Sequence, residues 1–178
     1  MTIFISGGAK NGKSSLAQDL AVKLSGDGPR YYVATMIPVD EEDRQRIRHH
    51  VADRDGMGFE TIECGRDILS CLNGADVFGT FLLDSVTALL MNEMFTENGV
   101  DEWAGERLAR EMSAFVNSVR NAVIVSDSIC SDAAHYDETT ELYRQFLALA
   151  DRVLARSCDT VIEMSAGQMV IHKGRLPE

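Results

Sequence analysis

The chain has 178 residues, 45% of them apolar, which suffices for one domain with a sizeable core and is too short for two of ordinary size. A formal net charge of −11 excludes a broad nucleic-acid-binding face, because backbone phosphates demand a basic surface, so any phosphate site must be local. No apolar run approaches the roughly 20 residues that span a bilayer, and Met1 to Ser6 has neither the basic start nor the cleavage site of a secretory leader.

Thr2 to Ser6 reads as a short buried strand that runs straight into Gly7-Gly8-Ala9-Lys10-Asn11-Gly12-Lys13-Ser14, the pattern G-x-x-x-x-G-K-[ST]. A helix follows, with Leu16, Leu20 and Leu24 every four residues. Strand, glycine loop and helix in that order make a phosphate-binding loop. The glycines let backbone N–H groups turn inward, Lys13 can reach the β and γ oxygens, and the Ser14 hydroxyl can ligate Mg²⁺. The helix start adds its partial positive charge.

Arg30 to Thr35 forms the next strand, and Pro38 and Asp40 then mark the start of a helix whose first turn carries Glu41, Glu42 and Asp43. Ile47 and Val51 are almost its only large apolar residues, so most of this helix faces water or a ligand. Spacings of three and four put Asp43, Arg46, His50 and Arg54 on one face. An imidazole between two guanidiniums suits attack on phosphorus while the arginines hold phosphate oxygens. An exposed helix laced with salt bridges has the same spacing, and spacing alone does not separate the two.

Phe59 to Glu63 and Val77 to Asp84 read as further buried strands. Asp84, closing the second of them, is placed either to hold Mg²⁺, directly or through water, or to cap the helix that follows. The acidic stretch Glu97 to Glu106 reads as a solvated helix start, Ala122 to Ser126 as a fifth strand, and Leu142, Phe146, Leu149 and Val153 as the buried stripe of a long helix. Thr160 to Met164 and Gln168 to His172 are separated only by Ser-Ala-Gly, too short for a crossover, and predict an antiparallel hairpin at one edge. The alternation predicts an α/β fold over residues 1–178, a mostly parallel sheet flanked by helices.

Cys64, Cys71, Cys130 and Cys158 are scattered, with no C-x-x-C pair, as expected of a reduced cytoplasmic chain. A GTPase switch would need N-K-x-D after a late strand, where this chain has Asp127-Ser128-Ile129-Cys130, and the D-x-x-G at Asp53 to Gly56 closes a helix. The loop therefore points to phosphoryl or nucleotidyl transfer.

Together the phosphate loop, the Ala34-Thr35 strand end and the string Arg46-Ile47-x-His49-His50-x-x-x-Arg54 resemble the adenosylcobinamide kinase/adenosylcobinamide-phosphate guanylyltransferase family. The resemblance extends to Glu63, to Leu82-Leu83-Asp84, to Asn92 and to Tyr143-Arg144-Gln145-Phe146. It implies a RecA-like P-loop fold, a trimer, GTP or ATP with Mg²⁺, and a corrinoid substrate. It also implies two reactions: phosphorylation of adenosylcobinamide, then transfer of GMP to that phosphate through a GMP-histidine intermediate. The second histidine of the pair, His50, carries the intermediate, with His49 the alternative. Nucleotide contacts fall on Gly7, Gly8, Ala9, Lys10, Asn11, Gly12, Lys13 and Ser14, on Ala34, Thr35 and Met36, on Val51, Ala52, Asp53 and Arg54, and on Glu63 and Asp84; Ser14 and Asp84 take the metal. The chain departs from the family at Asp127 to Cys130, where Asn-Glu-Val-Gly is usual, near Leu154-Ala155, and at Val51, where a basic residue is usual. A small-molecule kinase without the covalent intermediate and a non-enzymatic nucleotide-binding regulator are the alternatives.

Overall fold

The phosphate-loop strand lies inside a seven-stranded sheet, in a computed structural model that describes residues 1–129 and 134–177. Cys130 therefore lies outside the described residues, while Cys64, Cys71 and Cys158 are buried free thiols. In chain order the elements are β1 (Thr2–Gly7), α1 (Lys13–Ser25), β2 (Arg30–Ala34), α2 (Glu41–Asp53), β3 (Glu60–Glu63), a 3₁₀ turn (Ile68–Leu72), β4 (Thr80–Asp84) and α3 (Val86–Met94). There follow β5 (Phe95–Thr96), β6 (Gly99–Val100), α4 (Ala104–Ser118), β7 (Asn121–Asp127), α5 (Glu138–Ser157), β8 (Thr160–Ser165) and β9 (Gln168–Lys173).

The sheet order is β3-β2-β4-β7-β1-β8-β9, parallel throughout except for β9, which pairs antiparallel with β8. The predicted hairpin is thus present at one edge. Its turn is Ala166-Gly167, both at positive φ, the geometry that matches the twist of a two-residue hairpin. Two other expectations shift. The strand expected from Val77 begins only at Thr80, because Asp76 to Gly79 forms a turn in which Asp76 O accepts from Gly79 N at 2.8 Å and Asp76 Oδ1 from Phe78 N at 2.9 Å. The acidic stretch Glu97 to Glu106 is not simply a helix start: it contains the turn and second strand of the small β5–β6 hairpin, and α4 begins only at Ala104.

Strand alternation sorts the core onto the two faces of the sheet. Leu82 and Val123 join Ile3, Ile5, Ala17, Leu20 and Ala21 under α1. Phe81, Leu83 and Ile124 face α3, α4 and α5, where they join Leu89, Met112, Phe115 and Leu147. Phe81 and Phe115 are fully buried and meet edge to face with centroids 5.8 Å apart. Truncating either to Ala removes roughly 3–5 kcal/mol of stability.

Insertion of β7 between β1 and β4 has a consequence for chemistry. The register aligns Ala34 with both Glu63 and Asp84, and Gly7 with Asp127, so these residues share the carboxyl edge of the sheet, where parallel α/β folds bind ligands.

Candidate functional site

The loop between β1 and α1 is shaped by positions that only glycine fits. A Cβ on Gly7, at φ +154°, would lie 2.3 Å from the Met164 carbonyl oxygen, and Gly12 enters the helix at φ +89°. Gly12 supplies no side-chain cap, so the first N–H groups of α1 are left for an anion. Asn11 Nδ2 donates to Met164 O and ties the loop to β8. Lys13 is 5% exposed; its ammonium donates to Gly8 O at 2.6 Å and pairs with Asp127 Oδ1 at 2.9 Å. Asp127 thus stands where the charge of a bound phosphate would otherwise meet the lysine.

Asp84 closes β4 within reach of this loop. Burial pushes its carboxyl above the ordinary range, opposed by the nearby His50 and by the Ser14 hydroxyl. The two oxygen ligands predicted for the metal are therefore neighbours. Asp84 does not cap the next helix; Ser85 does, accepting from Ala88 N at 3.3 Å. Thr35 is fully buried, and its hydroxyl bridges the Ser85 backbone, donating to O at 2.8 Å and accepting from N at 2.7 Å. Asn92 Nδ2 donates to Thr35 O and Gly65 O at 2.7 and 2.9 Å, pinning the end of β2 to the segment after β3.

Beyond Asp84 opens a cavity of about 650 Å³. Ala34, Met36, Glu63 and Asp84 line it from the sheet edge, and His50, Val51 and Arg54 from α2 and its end. The helix itself matches expectation: Asp40 caps it, accepting from Asp43 N at 2.9 Å, while Asp43 Oδ2 accepts from Val39 N at 3.1 Å. None of the residues of α2 is buried.

Its orientation corrects the face read from spacing. Arg44, Ile47 and Arg48 line the cavity with His50 and Arg54, Arg44 and Arg48 while also paired with Glu41, whereas Arg46, paired with Glu42, does not line it. Ile47 and Val51 line the same wall, and the guanidiniums accompanying His50 there are those of Arg44, Arg48 and Arg54. Ala52 and Asp53 are exposed and do not line the cavity, and His49 is exposed as well. His50 Nδ1 and Arg54 Nη1 are buried with no hydrogen-bond partner among the described residues. An unmet imidazole nitrogen and an unmet guanidinium N–H at one wall suit a phosphate group.

Tyr32, Arg44, Arg48 and Thr61 are lining residues that the sequence reading did not single out. Arg44 and Arg48 could have been found from their i, i+4 spacing about Ile47. Tyr32 carries no such signal, being one aromatic among several in a buried strand.

A glycine loop closed by Lys13 and Ser14, facing an acidic strand end across a parallel sheet, defines a P-loop nucleotide-binding protein. Solved structures agree on the fold. An ATPase domain aligns with 99% of this chain and 78% of its own at TM-score 0.55 and 10% identity, and the flagellar accessory protein FlaH of Methanocaldococcus jannaschii with 98% and 78% at TM-score 0.51 and 18% identity. The fold is RecA-like. Residues 3–171 match the family model described as CobU, Cobinamide kinase / cobinamide phosphate guanyltransferase, and the chain belongs to that family.

Two curated relatives bear the name bifunctional adenosylcobalamin biosynthesis protein CobU. That of Salmonella typhimurium is 36% identical over 58% of this chain and 57% of its own length, and that of Escherichia coli 30% identical over 67% and 66%. The matched segments thus span less than two thirds of either relative. Among the described residues no helix is long and apolar enough to cross a membrane.

Proposed function

We propose that this chain catalyses both reactions named by its family: phosphorylation of adenosylcobinamide with GTP or ATP, and transfer of GMP from GTP to the adenosylcobinamide phosphate. The observation that carries this reading is His50, whose ring lines the cavity with Arg54 and with Asp84, the carboxylate that the Ser14 hydroxyl of the phosphate loop reaches.

In the first reaction the substrate hydroxyl attacks the γ-phosphorus, the bond from the γ-phosphorus to the β,γ-bridging oxygen breaks, and the nucleoside diphosphate leaves. Lys13 and the loop N–H groups stabilise the charge that develops on the transferring group. In the second, an imidazole nitrogen of His50 attacks the α-phosphorus and pyrophosphate leaves. An oxygen of the substrate phosphate then attacks the same phosphorus and frees the histidine. The arginines at the cavity wall hold the phosphoryl oxygens.

Ser14 and Asp84, hydrogen-bonded to one another, are an oxygen donor pair that would hold Mg²⁺. Bound there, the ion supplies charge neutralisation on the phosphates. The same reading carries a cytoplasmic homotrimer, and a monomer in sedimentation equilibrium would remove that element from it.

The test is incubation with Mg²⁺ and GTP radiolabelled at the α-phosphate. Acid-labile, base-stable label on the chain, discharged by adenosylcobinamide phosphate, is the expected result. Phosphorylation of adenosylcobinamide without label would leave a simple small-molecule kinase. Nucleotide binding without any turnover would leave a regulator.

A further inference from the structure

Tyr32 lies in the middle of β2, 4% exposed, with its side chain at the wall of the cavity. Two residues with separate duties in the proposed chemistry meet on it. Its phenol O–H donates to Asp84 Oδ2 at 3.4 Å, and the Arg54 guanidinium carbon sits 3.3 Å from its ring centroid. Phe59 supports the ring edge-on from 6.5 Å, so the platform is itself packed.

Among the described residues no hydrogen bond or ion pair fixes the Arg54 guanidinium. It follows the last residue of α2, a helix with no buried residue, and its Nη1 is buried without a hydrogen-bond partner among the described residues. A buried cation is tolerated there because it lies on the negative face of an aromatic ring, an attraction that grows as water is excluded. The stacked geometry also fixes the plane of the guanidinium and hence the direction of its free N–H.

From this geometry we propose that Tyr32 is the positioning residue of the site: its ring seats Arg54 for the nucleotide's phosphate, and its hydroxyl orients Asp84 for the metal. One side chain thereby couples the helix that carries the histidine to the strand end that carries the carboxylate. The proposal rests on the reading of the cavity as a nucleotide site, and it is tested by binding, which does not depend on either reaction.

The experiment is calorimetric titration of GTP into the full chain across a range of Mg²⁺ concentrations, for the unmutated protein, Tyr32→Phe, Tyr32→Leu, Arg54→Ala and the double variant Tyr32→Leu with Arg54→Ala. Tyr32→Phe keeps the platform and loses the hydroxyl, so the Mg²⁺ concentration for half-maximal GTP binding is expected to rise roughly fivefold, while affinity at saturating Mg²⁺ changes less. Tyr32→Leu loses both and weakens GTP binding at saturating Mg²⁺ about as much as Arg54→Ala does. The double variant is then no weaker than either, because the two residues act as one unit. An unchanged Mg²⁺ dependence in Tyr32→Phe, or additive losses in the double variant, would overturn the proposal. Should Tyr32→Leu fail to fold, the Mg²⁺ dependence of Tyr32→Phe decides the proposal, and an unchanged dependence overturns it. If the unmutated protein binds Mg²⁺ and GTP yet never takes label, the guanylyltransferase reading fails and the Tyr32 proposal stands or falls on the titrations.

Discussion

The phosphate loop and the histidine helix both reach Asp84, through Ser14 and His50, and are held in opposite ways. The loop sits on β1, between β7 and β8, with Ile3 and Ile5 fully buried and Lys13 itself buried. Helix α2 buries none of its residues and depends on the Asp40 cap, on exposed pairs such as Glu41 with Arg48, and on Arg54 resting on Tyr32. Exposed pairs contribute about 0–1 kcal/mol each, so the helix has little besides its cap and that one stacked arginine. The rigid half suits a charge that must already be in place when the phosphoryl group moves; the weakly held half suits a nucleophile that has to approach, react and withdraw.

The sharpest way to break this comparison is to damage the buried half. Lys13→Ala is expected to abolish both reactions, by several powers of ten in rate, since the developing charge loses its main side-chain partner. It also leaves Asp127 without the ion pair at 2.9 Å. Measured turnover in the kinase and guanylyl-transfer assays at unmutated levels would take the phosphate loop out of the mechanism.

Damage to the exposed half should be selective. His50→Ala is expected to eliminate covalent label and guanylyl transfer while kinase activity stays measurable, because Lys13, Ser14 and Asp84 remain. His49, exposed and outside the cavity, should weaken labelling on replacement by Ala without eliminating it. Label surviving in His50→Ala and vanishing in His49→Ala would move the nucleophile by one residue.

The same contrast explains what could be read from the chain before its fold. The phosphate loop is contiguous, and its glycines, lysine and serine carry their purpose in local spacing; so do the Asp40 cap and the Ala166-Gly167 turn. What was missed is what only packing creates. Lys13 meets Asp127 because β7 inserts beside β1, a pairing between residues far apart in sequence. Tyr32 resembles its neighbour Tyr31, yet Tyr31 packs on Phe81 in the core and its hydroxyl oxygen accepts from the Asp76 N–H, while Tyr32 reaches the cavity. Alternation along a strand decides this, and only the sheet order says which face holds the site. At Arg46 the charge spacing and the faint apolar phase of Ile47 and Val51 select different faces, and the cavity lies on the face of Ile47 and Val51.

A further test probes the buried half through its charges. Asp151 on α5 is pushed up to about 6, chiefly by burial, with repulsion from Asp127 adding to it. With the folded value raised above the unfolded one, its stability contribution is fully present below the unfolded value of 3.8 and is lost as pH rises through about 6. Asp151→Asn should therefore stabilise the protein at about pH 8, by on the order of 2 kcal/mol, with the gain shrinking toward about pH 4. Chemical denaturation of both proteins across that range measures it, and a gain that grows on acidification would reverse the argument.

The smallest expected effect bears on the comparison most directly. Asp40→Ala removes the acceptor that holds Asp43 N, a loss of about 1 kcal/mol at a helix start. In the buried half such a loss would be spread over a packed core and hardly noticed. In α2 it falls on an element with no buried residue of its own, so the cost should appear locally, as faster amide exchange across Glu41 to Arg44 with the global melting temperature little changed. Because Arg44, Arg48 and His50 line the cavity from this helix, covalent labelling should slow several-fold while the kinase rate, set by the loop, moves less. Equal slowing of both reactions, or exchange that quickens equally in α1 and α2, would mean that the two halves are not held independently and that α2 draws its order from the rest of the fold.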